Sequence, residues 1–329
     1  MTATLRLSTP KVGARMLGVG SYQPEQVVTN HDLAKVIDTD DEWIRSRVGI
    51  VSRRVAAEGE LLVDMSAAAA AQAISDAGMT ATDIDTVIVA TCTMPTSVPN
   101  AAARVATLLG INGVGAFDLN AACAGFTYAL AVGADLVRAG TATNVVVVGA
   151  EKFSDWVDPT DRSTAIIFAD GAGAAVIGPA TTEQGAGIGP VVWGSSGDMA
   201  EVIAIADRNS FLHQEGQTVF RWATTKIAPM ALEAVELAGL VPADIDVLVP
   251  HQANLRILQA IAKALHKAGG REDMVLARDI VHSGNTSAAS IPLALAHLRA
   301  ENAVHSGDVA LLVGFGAGLC FAAQAVLLP

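Results

Sequence analysis

The chain has 329 residues, 51% hydrophobic but only 4% aromatic, and a formal net charge of −12. That length accommodates a large core or two ordinary domains, and the acidity argues against a general nucleic-acid binder. No apolar run reaches membrane-spanning length, the opening "MTATLRLSTPKVGARMLGVG" holds no leader-like apolar core, and three scattered cysteines make no disulfide framework. The expectation is a cytoplasmic protein with reduced thiols and neither nucleic-acid nor membrane partners.

In chain order, "MSAAAAAQAISDAG" predicts an Ala-rich helix, followed by the buried-looking strand "TVIVAT" from Thr86. "AFDLN" reads as a strand leading to Cys123, and "GFTYALAVGADLVRAG" as the next helix. "NVVVVGA" from Asn144 is another strand. "GPATTEQGAGIGP" from Gly178 is Gly-rich and weakly patterned, which suits a connection. Beyond it, "TKIAPMALEAVELAG" predicts a helix and "VLVP" from Val247 a strand ending at His251. From His251 to Arg271 there is no acidic residue. A helix there carries Arg256, Lys263 and Lys267 on one face and Leu258, Ile261 and Leu265 on the other. "VLARDIV" reads as a strand leading to "HSGNTSAAS" with Asn285, and "DVALLVGF" as a later strand.

The two halves echo each other. "AGMTATDID" from Ala77 matches "AGLVPADID" from Ala238, each between an Ala-rich helix and an apolar strand. The expected fold is therefore a duplicated α/β protein. Its halves are residues 1–178, holding Cys123, and 179–329, holding His251 and Asn285. The shift that aligns the repeats brings Cys123 within one or two residues of Asn285. Strand ends are where ligands collect in such sheets.

A thiol at a helix N-terminus has its pKa lowered, because unpaired N–H groups favour the thiolate. Cys123 has that expected setting, among small residues that admit a substrate. Read blandly, Cys123 is a small core residue, His251 a satisfied core histidine and Asn285 a turn residue. Cys92 and Cys320 sit in apolar contexts and read as filler. The residue set Cys, His, Asn leaves a thiol hydrolase open, although the papain-type cysteine signature is absent.

The words around these residues resemble the β-ketoacyl-[acyl-carrier-protein] synthase III family. "AACAGFTYAL", "VPHQANLRI" and "GNTSAASIPLAL" are similar to its three active-site motifs. "GVGSYQPEQVVTN", "TDDEWIRSRVGI", "DPTDR", "FADGAGAAVIGP" and "LLVGFGAGL" extend the likeness over nearly the whole chain. The resemblance implies the thiolase-like fold, duplicated βαβ-type halves in five α-β-α-β-α layers. It implies an acyltransferase that condenses acyl-coenzyme A with malonyl-acyl carrier protein, as a homodimer, without metal or resident cofactor. Cys123 is then the nucleophile, with His251 and Asn285 as donors to the malonyl thioester. The N–H groups of Cys123 and Ala317 would meet the acyl oxyanion, with Ala317 standing where many relatives have Gly. Trp43 and Arg162 would sandwich the coenzyme A adenine. Arg47, Gly216, Phe220 and Asn254 would line the coenzyme A and pantetheine channel. Gln252, Arg256 and Lys263 would meet the acidic carrier protein. Val98 replaces a bulky aromatic that floors the acyl pocket across the dimer, implying tolerance of branched or longer starters. The alternative is a priming ketosynthase of a polyketide pathway. Cys320 follows the Gly-rich turn rather than preceding it, unlike the second cysteine of thiolases, and Asn285 replaces the second histidine of elongating synthases.

Overall fold

The structure is a computed structural model describing residues 13–181 and 185–329. The opening stretch expected to lack a leader, and Thr182, Glu183 and Gln184 of the connecting segment, lie outside those residues.

Runs rich in Val and Ala form strands buried on both faces, so they read as continuous apolar stretches rather than alternating ones. β1 (Gly13–Tyr22), β2 (Thr86–Ala90), β3 (Gly115–Leu119), β4 (Val145–Lys152) and β5 (Asp170–Ala180) make one sheet. Its order is β1-β5-β4-β2-β3. β6 (Ile188–Ser195), β7 (Val247–Pro250), β8 (Val275–Leu276), β9 (Val309–Gly316) and β10 (Cys320–Leu327) make the other. Its order is β8-β7-β9-β10-β6, the same topology repeated. In each sheet three neighbouring strands are parallel, and the last two join antiparallel. The expected boundary after Gly178 falls inside β5, so the change of sheet comes slightly later, between Ala180 and Ile188.

Helices α1 (Asp41–Val48), α2 (Leu62–Asp76), α3 (Ala101–Leu108), α4 (Gly125–Arg138), α5 (Gly216–Leu237), α6 (Leu255–Lys267) and α7 (Ser290–Ala300) complete the layers. α2 and α3 cover the outer face of the first sheet, and α5 and α6 that of the second. α4 and α7 lie between the sheets in a common core. This is the five-layered α-β-α-β-α arrangement. α5 begins at Gly216, earlier than expected, because Val219, Trp222 and Ala223 extend its buried face. Only Val275 and Leu276 of "VLARDIV" form strand; Ser283 N–H bonds to Asp279 O and closes a helical turn over Ile280–Ser283 instead.

The repeat also sets the geometry of the site. A 3-10 turn, Ala122–Ala124, leads into α4, and a matching turn, Ser287–Ala289, leads into α7. The counterpart of Cys123 is thus Ala288, a few residues past Asn285, because the turns rather than the "DID" segments define the match. Both turns begin with a non-glycine residue at positive φ, Ala122 at 45° and Ser287 at 49°. The two turns touch.

The Ala-rich composition of α2 has a packing cause. It lies directly on β1, where a Cβ on Gly20 would stand 2.3 Å from Ala69 O and 2.4 Å from Ala73 N. Both contacts are backbone, which cannot yield cheaply. Gly20→Ala is therefore expected to destabilise the chain by about 3 kcal/mol, the upper range of overpacking. A fall in urea midpoint with unchanged m-value would register it.

Candidate active site

A cavity of about 960 Å³ runs inward from a surface rim. Exposed Arg47, Arg221 and Arg256 line its outer end. Cys123, His251, Asn285 and Phe315 line its inner end, all between 1% and 8% exposed. The structure thus brings together the three residues singled out from separate strand ends.

Each is positioned by local structure. Cys123 occupies the turn before α4 and receives hydrogen bonds from the Ser287 hydroxyl and the Ala317 N–H. Ala317 follows β9 and is not among the described non-glycine residues at positive φ, so its Cβ is tolerated. His251 follows β7, and its N–H is held by Val313 O of the adjacent β9. The imidazole meets Phe315 edge-on at 5.2 Å, and Nδ1 lies 2.7 Å from Ser290 Oγ. Gln252 N–H donates to that same Oγ at 3.3 Å, leaving the Ser290 hydrogen for Nδ1. This arrangement favours the tautomer with hydrogen on Nε2. Asn285 is strapped by its backbone between Ile167 and Ala169. Its Oδ1 accepts from Ser287 N–H at 2.8 Å, leaving the Nδ2 hydrogens for a ligand.

The site is dry, and that dominates its electrostatics. Burial pushes the Cys123 thiol up to about 11, outweighing the hydrogen bonds that favour its thiolate. The lowered thiol pKa expected from the helix N-terminus is thereby overturned: desolvation exceeds the dipole. Burial also drives His251 down to about 3, so its ring is neutral at ordinary pH. Neutral His251 and Asn285 present two uncharged N–H donors beside a thiol.

At the rim, Trp43, Arg47, Gly216, Phe220 and Asn254 all line the cavity. Asn254 caps α6 by accepting from Arg256 N–H at 2.9 Å, and its Nδ2 donates to Arg47 O at 3.1 Å. Arg162 lies outside the lining, with its guanidinium 4.7 Å from the Trp43 ring centroid. An aromatic ring between two such planes needs about 7 Å, twice a van der Waals contact. The expected sandwich is therefore collapsed here, and Arg162 must swing out to admit an adenine. Arg256 stacks on Phe220 at 5.0 Å, and exposed Lys263 borders a separate hollow with His266 and Arg278.

Two expected contacts fall elsewhere. Gln252 is fully buried. Its amide donates to Pro250 O and accepts from Ile280 N–H, so it braces the turn after β7 and cannot meet a carrier protein. Val98 is 83% exposed and lies outside the cavity of its own chain. Sequence reasoning also passed over Ser287, Ser290, Arg221 and Glu151, and took Cys92 for filler although it lines the cavity. The "GNTSAAS" motif carried a signal for the two serines; nothing local marked the others.

Gly316 is the tightest point. A Cβ there would lie 2.5 Å from Cys123 Cβ and 2.9 Å from its sulfur. Gly316→Ala is expected to displace the thiol and slow Cys123 modification by iodoacetamide at least about tenfold, an energetic cost near 1.4 kcal/mol. Peptide mass spectrometry checks this, with unchanged Cys320 labelling as the internal control.

Comparison with known proteins agrees with this geometry. The model of 3-oxoacyl-[acyl-carrier-protein (ACP)] synthase III matches residues 117–197, and the model of its C-terminal part matches residues 235–328. The chain is 50% identical to β-ketoacyl-[acyl-carrier-protein] synthase III 4 of Streptomyces coelicolor, over 96% of this chain and 99% of that protein. It is 50% identical to the mycobacterial β-ketoacyl-[acyl-carrier-protein] synthase III of Mycobacterium avium, over 95% of each. Among solved structures, the priming β-ketosynthase of the R1128 polyketide pathway is similar with TM-score 0.93 and 42% identity, over 99% of each chain. The 3-oxoacyl-[acyl-carrier-protein] synthase III of Aquifex aeolicus gives 0.89 and 37%, over 96% of this chain and all of that one. Matching models over both halves and half-identical relatives over nearly full length make this chain a member of the β-ketoacyl-[acyl-carrier-protein] synthase III family.

Proposed function

We propose that the chain carries out the decarboxylative condensation of its family through Cys123, His251 and Asn285. It is an acyltransferase that joins an acyl-coenzyme A starter to malonyl-acyl carrier protein, giving 3-oxoacyl-acyl carrier protein and initiating type II fatty-acid synthesis. The observation that carries the residue assignment is one dry chamber holding a thiol and two neutral N–H donors.

The chemistry follows from those groups. The Cys123 sulfur attacks the starter thioester, and a covalent intermediate lets one site serve two substrates in turn. The N–H groups of Cys123 and Ala317 meet the oxyanion that forms. Malonyl-carrier protein then enters. His251 Nε2–H and Asn285 Nδ2–H donate to its thioester carbonyl, which becomes the enolate oxygen as CO₂ leaves. An uncharged histidine suits that task, because it gives a hydrogen bond without handing over its proton. The enolate carbon attacks the acyl group and releases Cys123.

The rim suits anionic ligands. Arg47, Arg221 and Arg256 face the phosphates of coenzyme A or the acidic carrier, with Trp43 and Arg162 for the adenine and Lys263 extending the carrier footprint. A cationic rim on a chain of net charge −12 attracts acidic partners locally. Two copies are assigned to a homodimer through β3, an open sheet edge whose Phe117 is 37% exposed. Exposed Val98 and Leu108 flank that edge. Val98 would then serve the acyl pocket of the second copy. Two halves of residues 1–178 and 179–329 and a cytoplasmic setting, where reduced thiols and coenzyme A thioesters coexist, complete the reading.

Incubation with acyl-coenzyme A donors of increasing size is expected to leave an acyl mass on the Cys123 peptide, with isobutyryl or longer groups accepted. Loading by acetyl alone would remove the Val98 argument, and no loading by any donor would favour the priming-ketosynthase alternative with a carrier-bound starter. Steady-state assays of Arg256→Glu are expected to raise KM for malonyl-carrier protein about tenfold with kcat little changed, about 1.4 kcal/mol of lost attraction. A change in kcat alone would remove Arg256 from the carrier surface.

A further inference from the structure

Glu151, near the end of β4, is fully buried and has no part in the reaction as described. No ion pair among the described residues involves it. Its neighbour Lys152 pairs with Asp155 instead. A buried carboxylate without a cation is costly unless hydrogen bonds surround it. Here Oε2 accepts from the Thr91 hydroxyl at 3.1 Å, the Cys92 N–H at 3.1 Å and the Thr93 hydroxyl. Oε1 accepts from the Cys92 thiol at 3.3 Å and the Ser287 hydroxyl at 3.1 Å.

Ser287 is the link. Its hydroxyl reaches both Glu151 and the Cys123 sulfur, while its N–H holds Asn285 Oδ1. Its φ of 49° is a conformation that costs a non-glycine residue roughly 1–3 kcal/mol unless the surroundings enforce it. The cost places one hydroxyl between nucleophile and carboxylate. The reaction needs such a link, because a thiol this buried must lose its proton as it attacks, and the neutral, desolvated His251 is a poor base. Burial makes Glu151 a stronger base than a surface carboxylate. The titratable groups facing it are the thiols of Cys92 and Cys123.

We infer that Ser287 and Glu151 form the proton path of Cys123, an inference that rests on the acyl-transfer reading above. In acylation the Cys123 proton passes to Ser287 Oγ as the Ser287 proton passes to Glu151 Oε1. The sulfur electron pair forms the new S–C bond. The C–S bond to coenzyme A breaks, its electron pair leaves on the coenzyme A thiolate, and that thiolate takes a proton from solvent. In condensation the malonyl carboxylate departs as CO₂, and its electrons pass through the enolate into the new C–C bond. The acyl–S bond breaks toward Cys123, and the proton returns from Glu151 through Ser287. Each cycle restores the carboxylate and consumes one solvent proton.

Two readings of Glu151 give opposite signs. A carboxylate that merely sits beside a thiol hinders its ionisation, so Glu151→Gln would then make Cys123 react faster at every pH. A carboxylate that takes the proton makes the same variant slower near neutrality, by on the order of 10²-fold, with the deficit closing as hydroxide takes over. The measurement is the iodoacetamide alkylation rate of Cys123 in the full chain from about pH 6 to about pH 10, with acyl transfer from acetyl-coenzyme A as second readout. Glu151→Asp is expected to recover part of the rate. Ser287→Ala, which keeps the carboxylate, is expected to show the same neutral-pH deficit, and it serves if Glu151→Gln melts early. Faster alkylation in Glu151→Gln, or slowing by one factor at all pH values, overturns the proton path. Alkylation uses no acyl donor. A wild-type chain showing the expected alkylation profile but accepting no acyl group would overturn the acyl-transfer reading and support the proton path.

Discussion

The contact between two 3-10 turns, Ala122–Ala124 and Ser287–Ala289, is the constraint on which the site depends. Each turn ends a crossover from its own sheet and starts one of the two helices in the central layer. Because the halves are duplicated and pack back to back, the turns meet between the sheets, far from bulk water. Cys123 rides on one turn. The other carries Ser287 and follows directly on Asn285. Left-handed backbone at Ala122 and Ser287 is the strain that this abutment enforces.

Dryness then fixes the chemical roles. In water a thiol ionises easily and a histidine is half protonated near neutrality; in this chamber burial moves both away from charge. A neutral His251 is an appropriate donor to an enolate and an inappropriate acceptor for a thiol proton. The same desolvation that strengthens the oxyanion contacts therefore creates a need for a proton route, and Glu151 with Ser287 occupies the required place.

The outer end of the cavity obeys the opposite rule. Its arginines are exposed, screened and mobile, and one of them rests on Trp43. Such groups attract and orient a large anionic substrate without the desolvation cost that would attend them deeper inside. One channel thus joins a charged, wet rim to an uncharged, dry centre.

Much of this was legible in the residues. The strands announced themselves because parallel strands buried on both faces must be apolar throughout, and the repeat showed because both halves need the same helix–strand junctions. Cys123, His251 and Asn285 could be singled out, since each follows a strand and lies in a distinctive motif. Their protonation was beyond reach. It depends on how much water two packed sheets exclude, and a helix N-terminus read locally suggested the wrong direction for the thiol. Gln252 looked like a surface contact beside Arg256, yet the turn after β7 directs it inward. Glu151 sits far along the chain from Cys123, Thr91 and Ser287, and only sheet order and turn packing bring them together. The sequence by itself determined the fold class, the duplication and the reactive side chains, because those follow from local pattern and residue chemistry. Tertiary structure alone decided which of those groups are dry, which are charged and which can exchange a proton, because desolvation and long-range contact are properties of the assembled layers.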